Sequence, residues 1–410
     1  MAEEQTETTV IVGAGHAGGM LATTLAQKKY PGRVLIVGDE PYLPYQRPPL
    51  SKDYLAGDID LDKLYLKPQE TYDKAGIDLT LDTRVEKIDR DSKSLKLANG
   101  ADLAYDKLVL ATGIQMRVLK APGSDLNGIH YLRTISDVQK LRPELIEGHK
   151  LVIVGGGYIG LEVAAIAVKR GVDVTVLEAM DRVMERVTGP DVSAYFEKRH
   201  RDAGVDLRTG AKVAGFEDNG SGHVSAVTTE SGEKFEATTV LVSIGIMPET
   251  ALAEAAGLDC DDGIVVDEFT RTSDPDIFAI GDCTRHKNLF YSDAKRLEAV
   301  SNAVDQARAT ASVLCGEDKA YDAVPWFWSN QYDIRMQMVG LSDGHDDSVM
   351  RGLPDDDSFA IFYLKNGVVI SVDAVNDPKS FMAGKKLVAA RATPDKNQLS
   401  DTSVDLKTLT

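Results

Sequence analysis

The chain has 410 residues, a formal net charge of −18, 43% hydrophobic residues and three cysteines. That length exceeds one compact core and calls for two or three domains. The acidic balance excludes non-specific binding to nucleic acid or to an anionic membrane surface. Cys260, Cys283 and Cys315 lie too far apart for a C-x-x-C pair, so a disulfide framework is excluded and a reducing, cytoplasmic setting is expected.

The segment from Met1 to Glu7 is acidic and polar, so neither a secretory signal nor a transit peptide is expected there. A β-branched strand then runs from Thr9 to Val12 and meets Gly13-Ala14-Gly15-His16-Ala17-Gly18. A helix from Ala17 to about Lys28 follows, and a second strand from Arg33 to Gly38 ends on Asp39-Glu40. Strand, glycine turn, helix, strand and acid make the dinucleotide-binding βαβ unit. Gly13 makes the tight turn, Gly15 admits a pyrophosphate, and Gly18 lets the helix pack closely on the strand. Asp39 is placed to accept hydrogen bonds from a ribose diol.

Next, Pro44, Pro48 and Pro49 predict an extended loop, either a surface connector or a ligand-holding segment. Within it Arg47 and Lys52 are the cations suited to a phosphate or a flavin ring. Small antiparallel strands are predicted at 77–81 and 94–97, with Asn99-Gly100 as a turn. The stretch Tyr105 to Gly113 reads as a buried parallel strand closing the first sheet.

At Lys150 the opening pattern repeats: an apolar strand, Gly155-Gly156-Gly157-Tyr158-Ile159-Gly160, an apolar helix to Arg170, and a strand ending on Glu178. The apolar run 151–168 has the length of a membrane span, but its three consecutive glycines and Glu162 fit the nucleotide motif better. Two complete fingerprints predict two bound dinucleotides. Strands near 205–207, 224–227 and 240–245 are expected to complete the second sheet. The stretch to Ala279-Ile280-Gly281-Asp282 reads as a strand whose terminal acid is a plain strand-end acid, a helix cap or a ligand of a flavin side chain. A helix is predicted over 298–314. The block from Pro325-Trp326-Phe327-Trp328 onward predicts a small α+β domain with a hairpin through Asn366-Gly367, and a polar, extended tail beyond Thr393.

Taken together, Gly13 to Gly18, Arg47-Pro48-Pro49-Leu50-Ser51-Lys52, Ala111-Thr112-Gly113, Gly155 to Gly160 with Glu162, Ala279 to Asp282 and Pro325 to Ser329 resemble the FAD-dependent NADH:ferredoxin reductases, of the putidaredoxin reductase and aromatic-ring dioxygenase reductase type. The resemblance covers essentially the whole chain. It implies an α/β, glutathione-reductase-like fold with two Rossmann-like domains: FAD-binding residues 1–115 and 246–324, an NADH-binding domain over 116–245, and a C-terminal α+β domain over 325–410. It implies tightly bound FAD held at Gly13, Gly15, Ala17, Gly18, Asp39, Arg47, Lys52, Val85, Ala111, Arg133, Asp282 and Val300. NADH would meet Gly155, Gly157, Ile159, Gly160 and Glu178. Lys52 would stand by the isoalloxazine ring, Glu162 near Lys52 and the nicotinamide, and Trp328 on the route to a ferredoxin. Ser301 departs from the family's proline, which loosens the reading there.

The expected activity is hydride transfer from NADH to FAD, then single-electron transfer to a 2Fe–2S ferredoxin that supplies a haem monooxygenase or ring-hydroxylating dioxygenase. Lys52 would stabilise the negative charge of the reduced ring. A solvated loop lysine at Lys52 and a helix-start carboxylate at Glu162 are the plain structural alternatives. Glu178 favours NADH by repelling a 2′-phosphate, while Arg182 and Arg186 are the cations that would favour NADPH. No cysteine precedes Cys260, so a thiol relay is not expected, and no metal site is expected. The ferredoxin would dock on the run Arg285-His286-Lys287 with Lys295-Arg296, or through apolar contact, on a monomer or weak homodimer without membrane attachment. An apoptosis-inducing-factor-like signalling flavoprotein and a rubredoxin or monodehydroascorbate reductase are the alternative functions.

Overall fold

β-Branched runs punctuated by glycine build two parallel sheets, one in each of two units. The computed structural model describes residues 7–288, 290–291 and 293–409. The reading of the acidic leader therefore lies, for residues 1–6, outside the described residues.

The first unit comprises the chain through Arg47, Leu61–Gln115 and Met247–Pro325. Its five-stranded parallel sheet has the order Ile277–Ala279, Lys107–Leu110, Thr8–Val12, Arg33–Val37, Ile77–Thr80. Both faces of the central strand are covered, which is why Val10, Ile11 and Val12 are apolar without alternation. On one face, Ile11, Ile36, Val109 and Phe278 pack against helices His16–Gln27 and Val300–Leu314, the latter through Ala303, Ala307 and Ala311. On the other, Val10, Val12, Leu35 and Leu108 meet Ile88, Leu95 and Leu97 of an antiparallel meander, Val85–Asp89, Ser94–Leu97 and Asp102–Ala104. The strand at 77–80 is thus not antiparallel as expected; it is the parallel edge strand, with Ile77 opposite Val34. Alternation reports a half-covered strand and carries no information on its direction.

The second unit comprises Pro48–Asp60, Met116–Ile246 and the chain from Trp326 onward. Its parallel sheet runs Asp206–Arg208, Asp173–Leu177, Lys150–Val154, Thr239–Val242, Ile129–His130. Val224–Thr229, expected in this sheet, is instead the middle strand of a separate antiparallel sheet with Val213–Asp218 and Lys234–Glu236. The C-terminal part is an antiparallel sheet in the order Trp326–Gln331, Ile334–Gly340, Val368–Val375, Ser358–Lys365, Asp347–Leu353. Asn366 and Gly367 both take positive φ, 51° and 79°, as a two-residue hairpin turn requires. Helix Pro378–Ala389, capped by Asp377, packs Phe381 and Leu387 inward.

Two further expectations change. Pro48–Ser51 forms a 3-10 turn and Asp53–Ala56 a helical turn, because proline's fixed φ suits the first turn of a helix. The tail is not extended: Asp395 caps helix Lys396–Ser400, and Leu399 and Leu406 are buried. The Arg351 guanidinium donates to the carbonyls of Leu399, Asp401, Thr402 and Val404, which pins that tail.

Asp373 is buried in the C-terminal sheet, where its Oδ2 accepts from Thr188 Oγ1 at 2.5 Å and Tyr363 OH at 2.9 Å. Burial pushes its carboxyl up to about 6, opposed by Thr188, Tyr363 and the charge of His345. A folded-state value raised above the unfolded one stabilises the protein below the unfolded value, and that stabilisation is lost as pH rises through about 6. We expect Asp373→Asn to remove up to about 3 kcal/mol of pH-dependent stability between pH 4 and pH 7. Urea unfolding of wild type and variant at both pH values checks this; parallel curves would contradict it.

Candidate dinucleotide sites and the Glu162 cluster

The first glycine loop separates what the protein needs from what it leaves open. A methyl group on Gly13, at φ +117°, would lie 2.2 Å from the Ala111 carbonyl oxygen, and one on Gly18 would lie 2.1 Å from that of Gly13. Protein packing alone therefore dictates both glycines. Gly15 has an ordinary φ of −82°, and a methyl there would meet nothing within 4 Å. The open space lies at the start of helix His16–Gln27, whose first turn carries no acid and whose N-cap, Gly15, has no side chain to cap it. Unsatisfied N–H groups facing open room at a helix start fit a pyrophosphate.

The surrounding side chains fit it too. His16 is held to about 4 by burial and then by the charge of Arg47, and its Nδ1 is buried without a partner. It is therefore a neutral ring at neutral pH. Arg47 donates to Glu40 at 2.8 Å and to Tyr45 OH at 2.8 Å, and Tyr45 OH donates to Glu40 at 2.7 Å. Burial opposes the Arg47 charge, but Tyr45, Glu40 and Asp282 outweigh it and raise its pKa. Gly281, at φ +81°, lies against Ala17, and its N–H donates to Gln306 Oε1 at 2.7 Å. Gly13, Gly15, Ala17, Gly18, Arg47, Ala111 and Asp282 thus converge in the first unit, which also holds Val85, Val300 and an exposed Asp39. Lys52 and Arg133 belong to the second unit. Glu40, His16 and Gln306 escaped the sequence reading. Of these, only Glu40 carried a signal, as the second acid of the Asp39-Glu40 pair.

The second loop repeats the arrangement. A methyl on Gly155 would lie 2.3 Å from the Ser243 carbonyl oxygen and one on Gly160 2.4 Å from that of Gly155, while one on Gly157 would meet nothing within 4 Å. Ile159 is half-buried beside them. Glu178 reaches back to the loop, accepting from the N–H of Gly156 at 2.6 Å and of Met180 at 2.8 Å. Arg182 is committed elsewhere, donating to the carbonyls of Thr188 and Glu185 and to Ser193 Oγ. Arg186 is exposed and lies near Gly245.

Glu162, one turn into helix Tyr158–Lys169, is 3% exposed and fully engaged. Its Oε2 accepts from Lys52 Nζ at 2.6 Å and Ser51 Oγ at 2.5 Å, and its Oε1 from Ser329 Oγ at 2.6 Å. The expected Lys52–Glu162 pairing is present; the two serines were not foreseen. Lys52 and Glu162 line a cavity of about 300 Å³ together with Asn330, Tyr332, Lys169 and Arg170. Trp328 is half-buried on the strand that carries Ser329 and stacks on Trp326 at 5.5 Å, while Lys385 Nζ lies 4.1 Å from the Trp326 ring centre.

Burial raises all three thiols, that of Cys260 to about 11, so none is a thiolate at neutral pH. The two arginines of the basic run are locally paired, Arg285 with Asp261 and Arg296 with Asp262 and Glu298, and His286 is buried. Among the described residues no helix is long and apolar enough to cross a membrane, and no His, Cys, Asp and Glu group is placed to hold a metal ion.

Two nucleotide folds joined to a small antiparallel domain define a flavoprotein-type pyridine nucleotide oxidoreductase. Residues 7–307 match the pyridine nucleotide-disulphide oxidoreductase family and 326–410 the reductase C-terminal family, and the chain belongs to the former. It is 45% identical to putidaredoxin reductase CamA of Pseudomonas putida, over 97% of this chain and 95% of that protein. Identity is 44% to the 5,5'-dehydrodivanillate O-demethylase ferredoxin reductase subunit of Sphingobium sp., over 98% of each. The fold matches a crystal structure of the covalent putidaredoxin reductase–putidaredoxin complex with a TM-score of 0.96, at 44% identity and 98% coverage of both chains.

Proposed function

We propose that this chain is the reductase of a ferredoxin-dependent oxygenase system. It holds FAD, draws reducing equivalents from NADH and passes them singly to a 2Fe–2S ferredoxin. The observation that carries the reading is the pair of glycine loops, each with one glycine facing unfilled space, on a chain whose thiols are all held protonated. The FAD domain is assembled from 1–115 and 246–324, the NADH domain from 116–245 and the C-terminal domain from 325–410.

When bound, FAD supplies the chemistry that divides a two-electron donor into two single-electron deliveries. The chain's own residues place it. Gly13, Gly15 and Gly18 seat the pyrophosphate. Ala17, Asp39, Arg47, Val85, Ala111, Arg133, Asp282 and Val300 hold the rest of the cofactor. Gly155, Gly157, Ile159 and Gly160 receive NADH, with Glu178 at its adenosine ribose. Lys52 Nζ holds positive charge for the flavin ring, Glu162 fixes that ammonium, and Trp328 stands near the flavin on the route to the ferredoxin. The carrier serves a haem monooxygenase or ring-hydroxylating dioxygenase in the cytoplasm, and the reductase works as a monomer or weak homodimer.

NADH-driven cytochrome c reduction tests the reading. We expect a rate that depends on an added 2Fe–2S ferredoxin, alongside ferricyanide reduction that does not. Cytochrome c reduction sustained by rubredoxin and by no 2Fe–2S ferredoxin would overturn it. Because Glu178 faces the loop and Arg182 is committed, kcat/KM for NADH should exceed that for NADPH by about tenfold or more. A larger value for NADPH would reassign the nucleotide.

A further inference from the structure

Glu162 owes its orientation to a longer chain of hydrogen bonds than its three immediate donors. Ser329 Oγ, which donates to Glu162 Oε1, receives Gln331 Nε2 at 3.3 Å. Gln331 Oε1 lies 2.8 Å from His200 Nε2, and His200 Nδ1 lies 2.9 Å from Tyr332 OH. Ser329, Gln331 and His200 are buried, and all the residues of the chain, with Glu162, lie in the second unit.

For a neutral His200 ring the donor and acceptor inventory allows one consistent assignment. The amide of Gln331 presents its oxygen to His200 and its NH₂ to Ser329, so His200 Nε2 must carry a proton. A neutral imidazole with Nε2–H has a bare Nδ1, which accepts from Tyr332. Ser329 Oγ, already receiving a donor, turns its single proton to Glu162. The direction of every bond, from Tyr332 through His200, Gln331 and Ser329, therefore ends on the carboxylate. Tyr332 takes a φ of 57° as the first residue of the two-residue turn between Gln331 and Ile334, and that turn brings its hydroxyl to His200. His200 is a ring pulled to about 4 by burial, which keeps it in the neutral state the chain requires.

We propose that His200, through Gln331 and Ser329, is a positioning residue that fixes the Glu162 carboxylate in its bond to Lys52. The proposal rests on the role assigned above to Lys52 and Glu162. Removing the imidazole frees the Gln331 amide to turn, and a turned amide lets the Ser329 hydroxyl leave Glu162.

The test uses the FAD-loaded protein and two kinds of measurement. In stopped-flow reduction by NADH, His200→Phe should lower the limiting rate about tenfold, as for a reacting group displaced by a fraction of an ångström, with the half-saturating NADH concentration unchanged. His200→Gln, whose amide can both accept from Tyr332 and donate to Gln331, should recover most of that rate. Nitrogen NMR of the wild-type imidazole, assigned by its loss in His200→Phe, should show an Nε2–H tautomer that does not titrate near the ordinary value of about 6.5. A lowered melting temperature with an unchanged limiting rate, or an Nδ1–H tautomer, would overturn the proposal. Glu162→Gln run in parallel separates the two readings. If it slows reduction and His200→Phe does not, the positioning role alone fails; if it leaves reduction unchanged, the role of Glu162 itself fails.

Discussion

Lys52→Met should lower the limiting rate of flavin reduction by NADH about a hundredfold, the scale on which one preorganised charge acts in a closed site, while FAD stays bound. Methionine keeps most of the length and apolar stem of lysine and removes the ammonium with its charge and its N–H donors. The change has a second consequence that separates chemistry from folding. Glu162 loses the ammonium at 2.6 Å and keeps Ser51 and Ser329, so a nearly inaccessible carboxylate is left without a counter-charge. Breaking a buried pair from one side costs about 3 kcal/mol, so Lys52→Met should also unfold at lower denaturant concentration. Adding Glu162→Gln removes the stranded charge and should restore much of that stability without restoring the rate. Urea titration and stopped-flow absorbance on the single and double variants check both halves. An unchanged reduction rate in Lys52→Met would end the role proposed for this lysine.

That pair also marks where sequence stops being legible. Both βαβ units could be read directly, since strand, glycine turn, helix and acid are consecutive and each glycine has a local reason. Lys52 stood out as one of two cations in the proline-rich loop, but its pairing with Glu162 was expected only through a family resemblance. Ser51 and Ser329 lie 111 and 167 residues from Glu162 along the chain, and nothing local to a serine announces such a partner. The same limit explains Ile77–Thr80, whose alternation was clear while its direction depended on a neighbour more than forty residues earlier. It also explains the tail, whose polar composition suggested extension while a distant arginine, Arg351, pins its carbonyls. At Asp39-Glu40 the ambiguity is finer. Two adjacent acids end the strand, and only the reach of Tyr45 and Arg47 decides that Glu40 is drawn inward while Asp39 stays exposed.

The glycines then supply a prediction whose folding half depends on no resemblance. At Gly15 and Gly157 the backbone is in a region open to alanine, with φ of −82° and −80°, and the added methyl meets no protein atom. Replacing glycine at such a position stabilises a fold by about 0.4–1 kcal/mol, because the unfolded chain has less freedom to lose. Gly15→Ala and Gly157→Ala should therefore fold as well as wild type in the nucleotide-free state. What the methyl does occupy is the approach left for a dinucleotide. A misfit of about 2–3 kcal/mol, typical of one methyl group forced into a packed contact, weakens binding roughly 30- to 150-fold. Gly15→Ala should purify largely without flavin, whereas Gly157→Ala should keep its flavin and bind NADH poorly. Gly13→Ala and Gly155→Ala form the contrasting pair, since each sets a methyl group within 2.3 Å of a carbonyl oxygen at a strongly positive φ and must damage the fold itself. Calorimetry of the flavin-free proteins and titration with each nucleotide distinguish the cases. If Gly15→Ala retains flavin at wild-type affinity, the open space before the first helix is not where the cofactor's phosphates lie, and the division of labour between the two loops must be redrawn.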